Sequence, residues 1–371
     1  MILAKKIRLH PSSEQEKKLW QSVGTARFVY NWTLGRQEEN YKNGGKFISD
    51  NDLRKEITRL KKSELNWLNE VSNNVAKQAV KDACEAYKKF FKGLSNKPRF
   101  KSRKRSKKSF YNDNIKLKVK ENKLILIEKV GWIKTNEQLP IGVKYFNPRI
   151  SFDNKYWYIS VGIDQEKKDE ELSGVSLGID LGVSELAICS DGKRYKNINK
   201  TKKVKKLEKK LRRLQRKVSN KYEKGKRGET FAKTSNILKI EKDIQLLHRK
   251  LANIRKNHLH QITAEIVKTK PSRIVIEDLN VKGMMRNRHL SKAIAQQGFY
   301  EFRRQLEYKT NFRGIELVIA DRWFPSSKTC SKCGNVDKNL KLSDRVYTCG
   351  CGLELDRDLN ASINLANYKL A

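Results

Sequence analysis

Four cysteines close together near the end of the chain constrain its fold more than any other feature. Cys330 and Cys333 form a CxxC pair, and Cys349 and Cys351 a tighter CxC pair a short loop later. Four thiolates at such spacing suit a tetrahedral Zn2+, and because they fill every coordination position they predict a structural metal rather than one that activates water. The remaining cysteines, Cys84 and Cys189, stand alone in apolar-periodic surroundings, which fits a reduced compartment better than a disulfide framework. Taken alone, the cluster reads as a DNA-binding zinc finger. Directly behind it, however, come Asp356 and Asp358, opening a short helix in which Leu359, Ile363 and Ala366 share the inward face. Phe324, Pro325, Ser326 and Ser327 lead into the first pair and anchor it.

The partner class follows from charge. In 371 residues, 82 Lys and Arg stand against 41 Asp and Glu, a net charge of +41 spread along most of the length. Such a field attracts polyanions through phosphate contacts and counterion release, so nucleic acid is the expected partner, although a ribosomal or packaging protein would share this charge. The start, MILAKKIRLHPSSEQ, lacks the apolar run of a signal peptide. No window reaches the roughly 18 uncharged apolar residues of a membrane span. A soluble protein of the prokaryotic cytosol or nucleoid is expected, with no membrane partner.

Residues 2–9 alternate as a strand and stop at Pro11. Ser13 and Glu16 are read as a capping box opening a long helix over 13–41, ended by Gly44 and Gly45. Helices near 50–62 and 73–92 complete a small bundle. Lys77, Gln78, Lys81 and Lys88 lie on its third helix, where a solvated face is the plain reading. The basic run 97–110 has Phe100 and Phe110 beside it, a mixture suited to gripping phosphates and stacking bases, or to a linker. From 114 to 163 short alternating strands follow, so residues 2–9 are expected to pair with them and the bundle becomes an insertion in a small β-barrel. The polar segment 164–174 marks the main boundary.

Beyond it, VSLGIDLGVSELAICSDGKRYKNI predicts three meandering strands, with a hairpin at Asp191–Gly192. Two heptad-like stripes in 201–258, one from Val204 to Val218 and one from Ile237 to Ile254, predict an antiparallel helical hairpin around a glycine-containing polar turn. The outer face of its first arm is crowded with lysine and arginine, which favours a nucleic-acid rail over a protein dimer. RIVIEDL reads as a buried parallel strand, then come an amphipathic helix near 291–309, a strand at 315–320 and a last helix at 358–368. This order is that of a ribonuclease-H-like α/β domain.

Phosphodiester hydrolysis with two divalent metals requires carboxylates converging from several elements. Asp180 ends the first strand, with Gly178 leaving room nearby. Glu277 sits in a run apolar enough to bury it, so it needs a partner or a metal. Asp358 opens the last helix. Asp278 is turned to the opposite face by strand alternation, Asp356 is the expected helix cap, and Asp321 is placed to support the metals.

The motifs RLHPSSEQE, ARFVYNW, GIDLGV, IVIEDL, FRRQLEYK, RWFPSSKTCSKCG and CGLELDRDLNASINL resemble the TnpB family of transposon-encoded RNA-guided DNA endonucleases, relatives of the type V CRISPR effectors, over nearly the whole chain. The resemblance implies a wedge β-barrel begun by residues 1–11 and completed by 111–165, interrupted by a helical recognition bundle at 12–110. It further implies a RuvC-like nuclease domain at 172–325 and 355–371, with a zinc-binding target-loading insertion at 326–354. Asp180, Glu277 and Asp358 match the family's catalytic positions, which hold Mg2+ or Mn2+, and the four cysteines match its zinc site. AKQAV matches the segment turned toward the duplex motif, making Lys77 and Gln78 DNA-binding candidates. The implied partners are a guide RNA from the transposon end and double-stranded target DNA, the protein acting as a monomer with its RNA in support of the mobile element. The CxC pair departs from the family's commoner CxxC. Two other readings are a nuclease-inactive guided regulator, which the intact carboxylate set opposes, and an unguided transposase or resolvase of the same fold, which would not need so large a basic surface.

Overall fold

The computed structural model describes residues 1–167, 170–224, 233–341 and 343–369. The chain divides into two compact units, Met1–Gln165 and Glu166–Ala371. Among the described residues no helix is long and apolar enough to cross a membrane.

The first unit opens with β1 (Ile2–His10), followed by helices α1 (Ser13–Lys42), α2 (Asp50–Leu60) and α3 (Asn73–Phe91). Strands β2 (Lys108–Tyr111), β3 (Lys118–Lys120), β4 (Leu124–Ile127), β5 (Gly131–Thr135), β6 (Tyr145–Phe152) and β7 (Trp157–Asp164) complete it. The strand order is β2-β6-β7-β1-β5-β4-β3, every pairing antiparallel. Thus β1 lies mid-sheet between strands far away in sequence, and its buried Ile7 and Leu9 join Ile133, Ile159 and Val161 in one core. The pairings run from β2 to β3 without joining those two, so the hydrogen bonding describes an open sheet rather than a closed barrel. The helices have their own core, built from Val29, Leu34, Leu53, Val80 and Ala83 among others.

Three local expectations are corrected here. The capping box of α1 uses Ser12 and Gln15, one residue earlier than Ser13 and Glu16; the Gln15 N–H reaches Ser12 Oγ and the Gln15 side chain returns to the Ser12 N–H. Residues 114–117 form a turn, not a strand, because Asp113 Oδ1 accepts the N–H groups of Ile115 and Lys116. Phe110 is buried in β2 and offers no stacking face, whereas Phe100 remains exposed.

The second unit contains β8 (Ser173–Leu181), β9 (Glu185–Cys189), β10 (Arg194–Lys196), α4 (Lys202–Lys224), α5 (Ser235–Lys268), β11 (Pro271–Glu277), α6 (Val281–Met284), α7 (Ser291–Gln297), α8 (Phe299–Arg313) and β12 (Glu316–Ala320). A small hairpin, β13 (Val346–Thr348) with β14 (Glu354–Asp356), precedes α9 (Arg357–Ala366). The sheet order is β10-β9-β8-β11-β12, antiparallel from β10 to β8 and parallel from β8 through β11 to β12. Val204 and Leu211 of α4 meet Leu247 and Leu251 of α5, so the two stripes do zip together. The polar turn between them, 225–232, lies outside the described residues. The helix expected over 291–309 is broken at Gly298, whose φ of +72° only glycine adopts readily.

Strand alternation places two different layers on the sheet. Ile274 and Ile276 of β11 pack with Leu259, Ile266, Phe302 and Leu306 from α5 and α8, whereas Val275 packs with Leu365 of α9. On β8 the α9 face falls at Gly178. A Cβ there would lie 1.9 Å from the carbonyl oxygen of Ser362 and 2.3 Å from the Ala366 nitrogen, so the helix backbone rests directly on the strand. Gly178→Ala should therefore push α9 outward and lower unfolding stability in urea by about 1–3 kcal/mol. An unchanged midpoint would contradict this packing.

Candidate active site and zinc knuckle

The α9 face of the sheet carries the carboxylates. With Val275 on that face, so is Glu277 two residues on; with Gly178 on it, so is Asp180. Ile276 pairs with Ile179 in the parallel register, which sets Glu277 beside Asp180. Asp358 enters from the first turn of α9. Its Oδ1 accepts from the Arg357 guanidinium at 3.0 Å, and Arg345 lies 3.9 Å from Oδ2. Asp356 is occupied elsewhere: it caps α9 by accepting the N–H groups of Asp358 and Leu359 at 3.1 and 3.0 Å, and it pairs with Arg194 at 3.1 Å.

Electrostatics marks the cluster as unusual. Burial, then the negative charges of Glu277 and Asp358, push the Asp180 carboxyl well above its ordinary range, with Arg357 opposing. Burial likewise raises Glu277, against a hydrogen bond from Ser326 Oγ at 2.7 Å, and the charge of Asp358 adds to the rise. Three crowded, half-buried carboxylates served by so few donors are unfavourable without a cation, which is the donor set a hard divalent ion takes.

Asp278 faces the other way. Its carboxylate takes Arg303 of α8 at 3.4 Å and is bound by Arg322. Glu277, Asp278, Tyr300, Arg303 and Arg322 share the wall of a cleft of about 460 Å³. Tyr300 is 77% exposed, so cationic and aromatic groups adjoin the carboxylates. Asp321 is exposed, and its carboxylate accepts the N–H of Trp323 at 2.8 Å within its own turn.

The four thiols converge. The Sγ atoms of Cys330, Cys333, Cys349 and Cys351 all lie within 4.8 Å of one another, with 3.6 Å between Cys330 and Cys351 and between Cys333 and Cys349. Tetrahedral zinc with Zn–S bonds of about 2.3 Å needs sulfur separations of about 3.8 Å, so the CxC pair closes the site as well as a CxxC would. Cys84 and Cys189 are buried and are not members of this cluster.

Side chains that the sequence did not single out tie this knuckle to the carboxylates. Asn364, buried on α9, donates to the carbonyl oxygens of Ser326 and Thr329 at 2.7 and 2.6 Å. Asn360, one turn earlier and fully buried, donates to Thr329 at 2.7 Å and accepts the Ser331 N–H at 2.9 Å. Ser326 in turn holds Glu277, and Ser331 adjoins Cys330. One face of one helix thus fixes both the metal-ligating loop and a carboxylate. Asn364→Ala leaves the buried Ser326 carbonyl without its donor, while Thr329 keeps Asn360, and is expected to cost about 1–3 kcal/mol in urea unfolding; a value near zero would mean the ladder carries no weight.

In the first unit Lys77 is exposed on α3, while the Gln78 amide donates to Asp82 at 2.8 Å. Asp82 also takes both guanidinium nitrogens of Arg149 on β6, at 2.8 and 2.9 Å, a bidentate bond from sheet to helix.

Family models described as "Helix-turn-helix domain", "Probable transposase" and "Cas12f1-like, TNB domain" match residues 1–46, 158–288 and 299–365. Over the first of these spans the structure has β1 and the single long helix α1. A mimivirus "TnpB-like protein L79" is 32% identical over 125 residues, covering 32% of this chain and 23% of that protein. An Escherichia coli K12 protein described as "Putative RNA-guided DNA endonuclease InsQ" is 32% identical over 365 residues, covering 94% of this chain and 87% of its own length. The chain belongs to the TnpB family. A Streptomyces pristinaespiralis relative carrying the same general description is also 32% identical, over 99% of this chain and 89% of that protein. In fold, this TnpB-family chain is similar to the cryo-EM structure of a Cas12f1-sgRNA-target DNA complex, with a TM-score of 0.59 at 17% identity, covering 95% of this chain and 82% of that one. It is also similar to the mini-RNA-guided endonuclease CRISPR-Cas_phi3, with a TM-score of 0.53 at 12% identity, covering 99% and 92%.

Proposed function

We propose that this TnpB-family chain is an RNA-guided DNA endonuclease whose Asp180, Glu277 and Asp358 form the hydrolytic centre. The observation that carries this reading is the convergence of three carboxylates at the C-terminal ends of the central strands β8 and β11 and the start of α9, two of them with raised pKa. Two Mg2+ or Mn2+ ions bound there would activate water and stabilise the leaving oxygen of the scissile phosphate. The chain's own groups do the rest: Ser326 orients Glu277, Arg357 holds Asp358, and Gly178 lets α9 approach closely enough to bring Asp358 in. Arg303 and Arg322, fixed by Asp278, guide a single strand along the cleft with Tyr300 available to a base.

Residues 1–11 and 111–165 act as the wedge and 12–110 as the recognition bundle, with Lys77 and Gln78 toward the duplex motif. Residues 172–325 and 355–371 form the RuvC-like nuclease, and 326–354 the zinc-held target-loading insertion. Guide RNA from the transposon end supplies sequence specificity by base pairing, and the protein reads the short adjacent motif. The enzyme works as a monomer with its RNA in the prokaryotic cytosol or nucleoid and helps maintain the mobile element. Sequencing the RNA that copurifies with the chain, followed by cleavage of a library with randomised flanks, tests this reading. The expected result is one RNA class and one enriched flank; absence of bound RNA would contradict it.

A further inference from the structure

Where the ends of α1 and α3 meet, a cavity of about 360 Å³ is lined by Tyr41, Phe47, Tyr87 and Phe91, with Lys42 and Lys46 at its border. Its rings remain open to solvent: Tyr41 is 81% exposed and Phe91 63%. Tyr87 and Phe91 stack at 5.9 Å between centroids with 23° between planes, and Phe47 meets Phe91 edge-on at 5.9 Å, so the rings form a continuous wall. The Tyr87 ring is buried behind this wall with its hydroxyl against Glu38, and burial, then the charge of Glu38, push its phenol up to about 12. Lys97, also at the cavity, is neutralised by Glu38 at 3.2 Å, whereas Lys42 and Lys46 are exposed.

A flat apolar wall and two ammonium groups at the border match the chemistry of a nucleotide: a π-face with a phosphate on either side. A protein partner would be met by a positive border on a chain of net charge +41, which favours a polyanion over a second copy. We propose that this cavity captures one unpaired base of single-stranded RNA, with Phe91 and Phe47 as the stacking wall and Lys42 and Lys46 on the flanking phosphates. This rests on the reading of the chain as RNA-binding but not on its nuclease chemistry.

The test uses the full chain freed of copurified RNA, a single-stranded RNA ten-mer containing 4-thiouridine, and an abasic ribose-phosphate ten-mer. Photocrosslinks mapped by mass spectrometry are expected on Phe47 or Phe91. Phe91→Ala should weaken RNA ten-mer binding about tenfold and leave abasic binding unchanged. Phe47→Leu, which keeps an apolar side chain but loses the ring, should likewise weaken only the RNA. RNA bound with wild-type affinity by both variants would overturn the pocket while leaving the RNA-binding reading intact, and no binding of either ten-mer would overturn both. A dimer in sedimentation that Phe91→Ala dissolves would assign the wall to a second copy and also overturn it.

Discussion

Replacing Asp180, Glu277 or Asp358 by alanine is expected to lower target cleavage by about a thousandfold or more, equivalent to about 4 kcal/mol in the barrier, while RNA-dependent DNA binding survives. Each carboxylate comes from a different element, and neighbours already occupy the nearest substitutes: Asp278 by Arg303 and Arg322, Asp356 by the α9 cap and Arg194. Asp356→Asn should therefore retain most cleavage, because asparagine caps a helix about as well. Full cleavage by Asp358→Ala with loss in Asp356→Asn would reverse the assignment. The same cluster predicts a gain in stability. Folding raises the pKa of Asp180 and Glu277, so the metal-free fold binds protons more readily than the unfolded chain. That contribution is fully present below the ordinary carboxylate range and is lost as pH rises through the raised folded values. Asp180→Asn removes one ionising member, so in chelator at neutral pH it should raise Tm even as it abolishes cleavage. A lowered Tm would contradict the electrostatic reading of the site.

Emptying the zinc knuckle should have the second largest effect. Metal analysis is expected to give about one zinc per chain, released in the Cys330→Ser, Cys333→Ser double variant. Cleavage should fall nearly as far as in the carboxylate variants, because Asn360 and Asn364 clamp the same loop that delivers Ser326 to Glu277. Without the metal, Thr329 and Ser331 lose their fixed positions and the carboxylate loses its orienting donor. Guided DNA binding measured beside cleavage separates this from general unfolding. Full cleavage by zinc-free protein would break the proposed link, and freshly purified protein without zinc would remove the metal from the account.

Much of this was legible beforehand because it rests on strong local patterns. IVIE in a parallel-strand context leaves its glutamate buried, GID places an acid at a strand end, and DRD before an apolar-periodic helix separates the cap, Asp356, from Asp358. The strand β1 was assignable to the later sheet only because nothing near it in sequence could pair with it. Asn360 and Asn364 were not legible: asparagine in a helix reads as a solvated face, and only their i, i+4 spacing beside Ala361 and Leu365 places them on the buried side. The roles of Arg303 and Arg322 depend on Asp278, whose partners lie on α8 and in the loop after β12, and no spacing rule links those three. β5 is poorly signalled because its turn is set by Lys129 at φ +64° and Gly131 at φ +105°, a bend marked by only one glycine. The break at Gly298 is hidden because the apolar rhythm on both sides of it is helical.

The most direct measurement is cleavage of a linear duplex by the purified protein–RNA complex, with the guide segment of the RNA replaced by a chosen sequence and Mg2+ supplied or withheld. The account predicts cutting only of the duplex that matches the new guide and carries the enriched flank, only with Mg2+, and none from the Asp180→Ala complex although it still binds that duplex. Cutting that ignores the guide sequence, or that persists in Asp180→Ala, would contradict it.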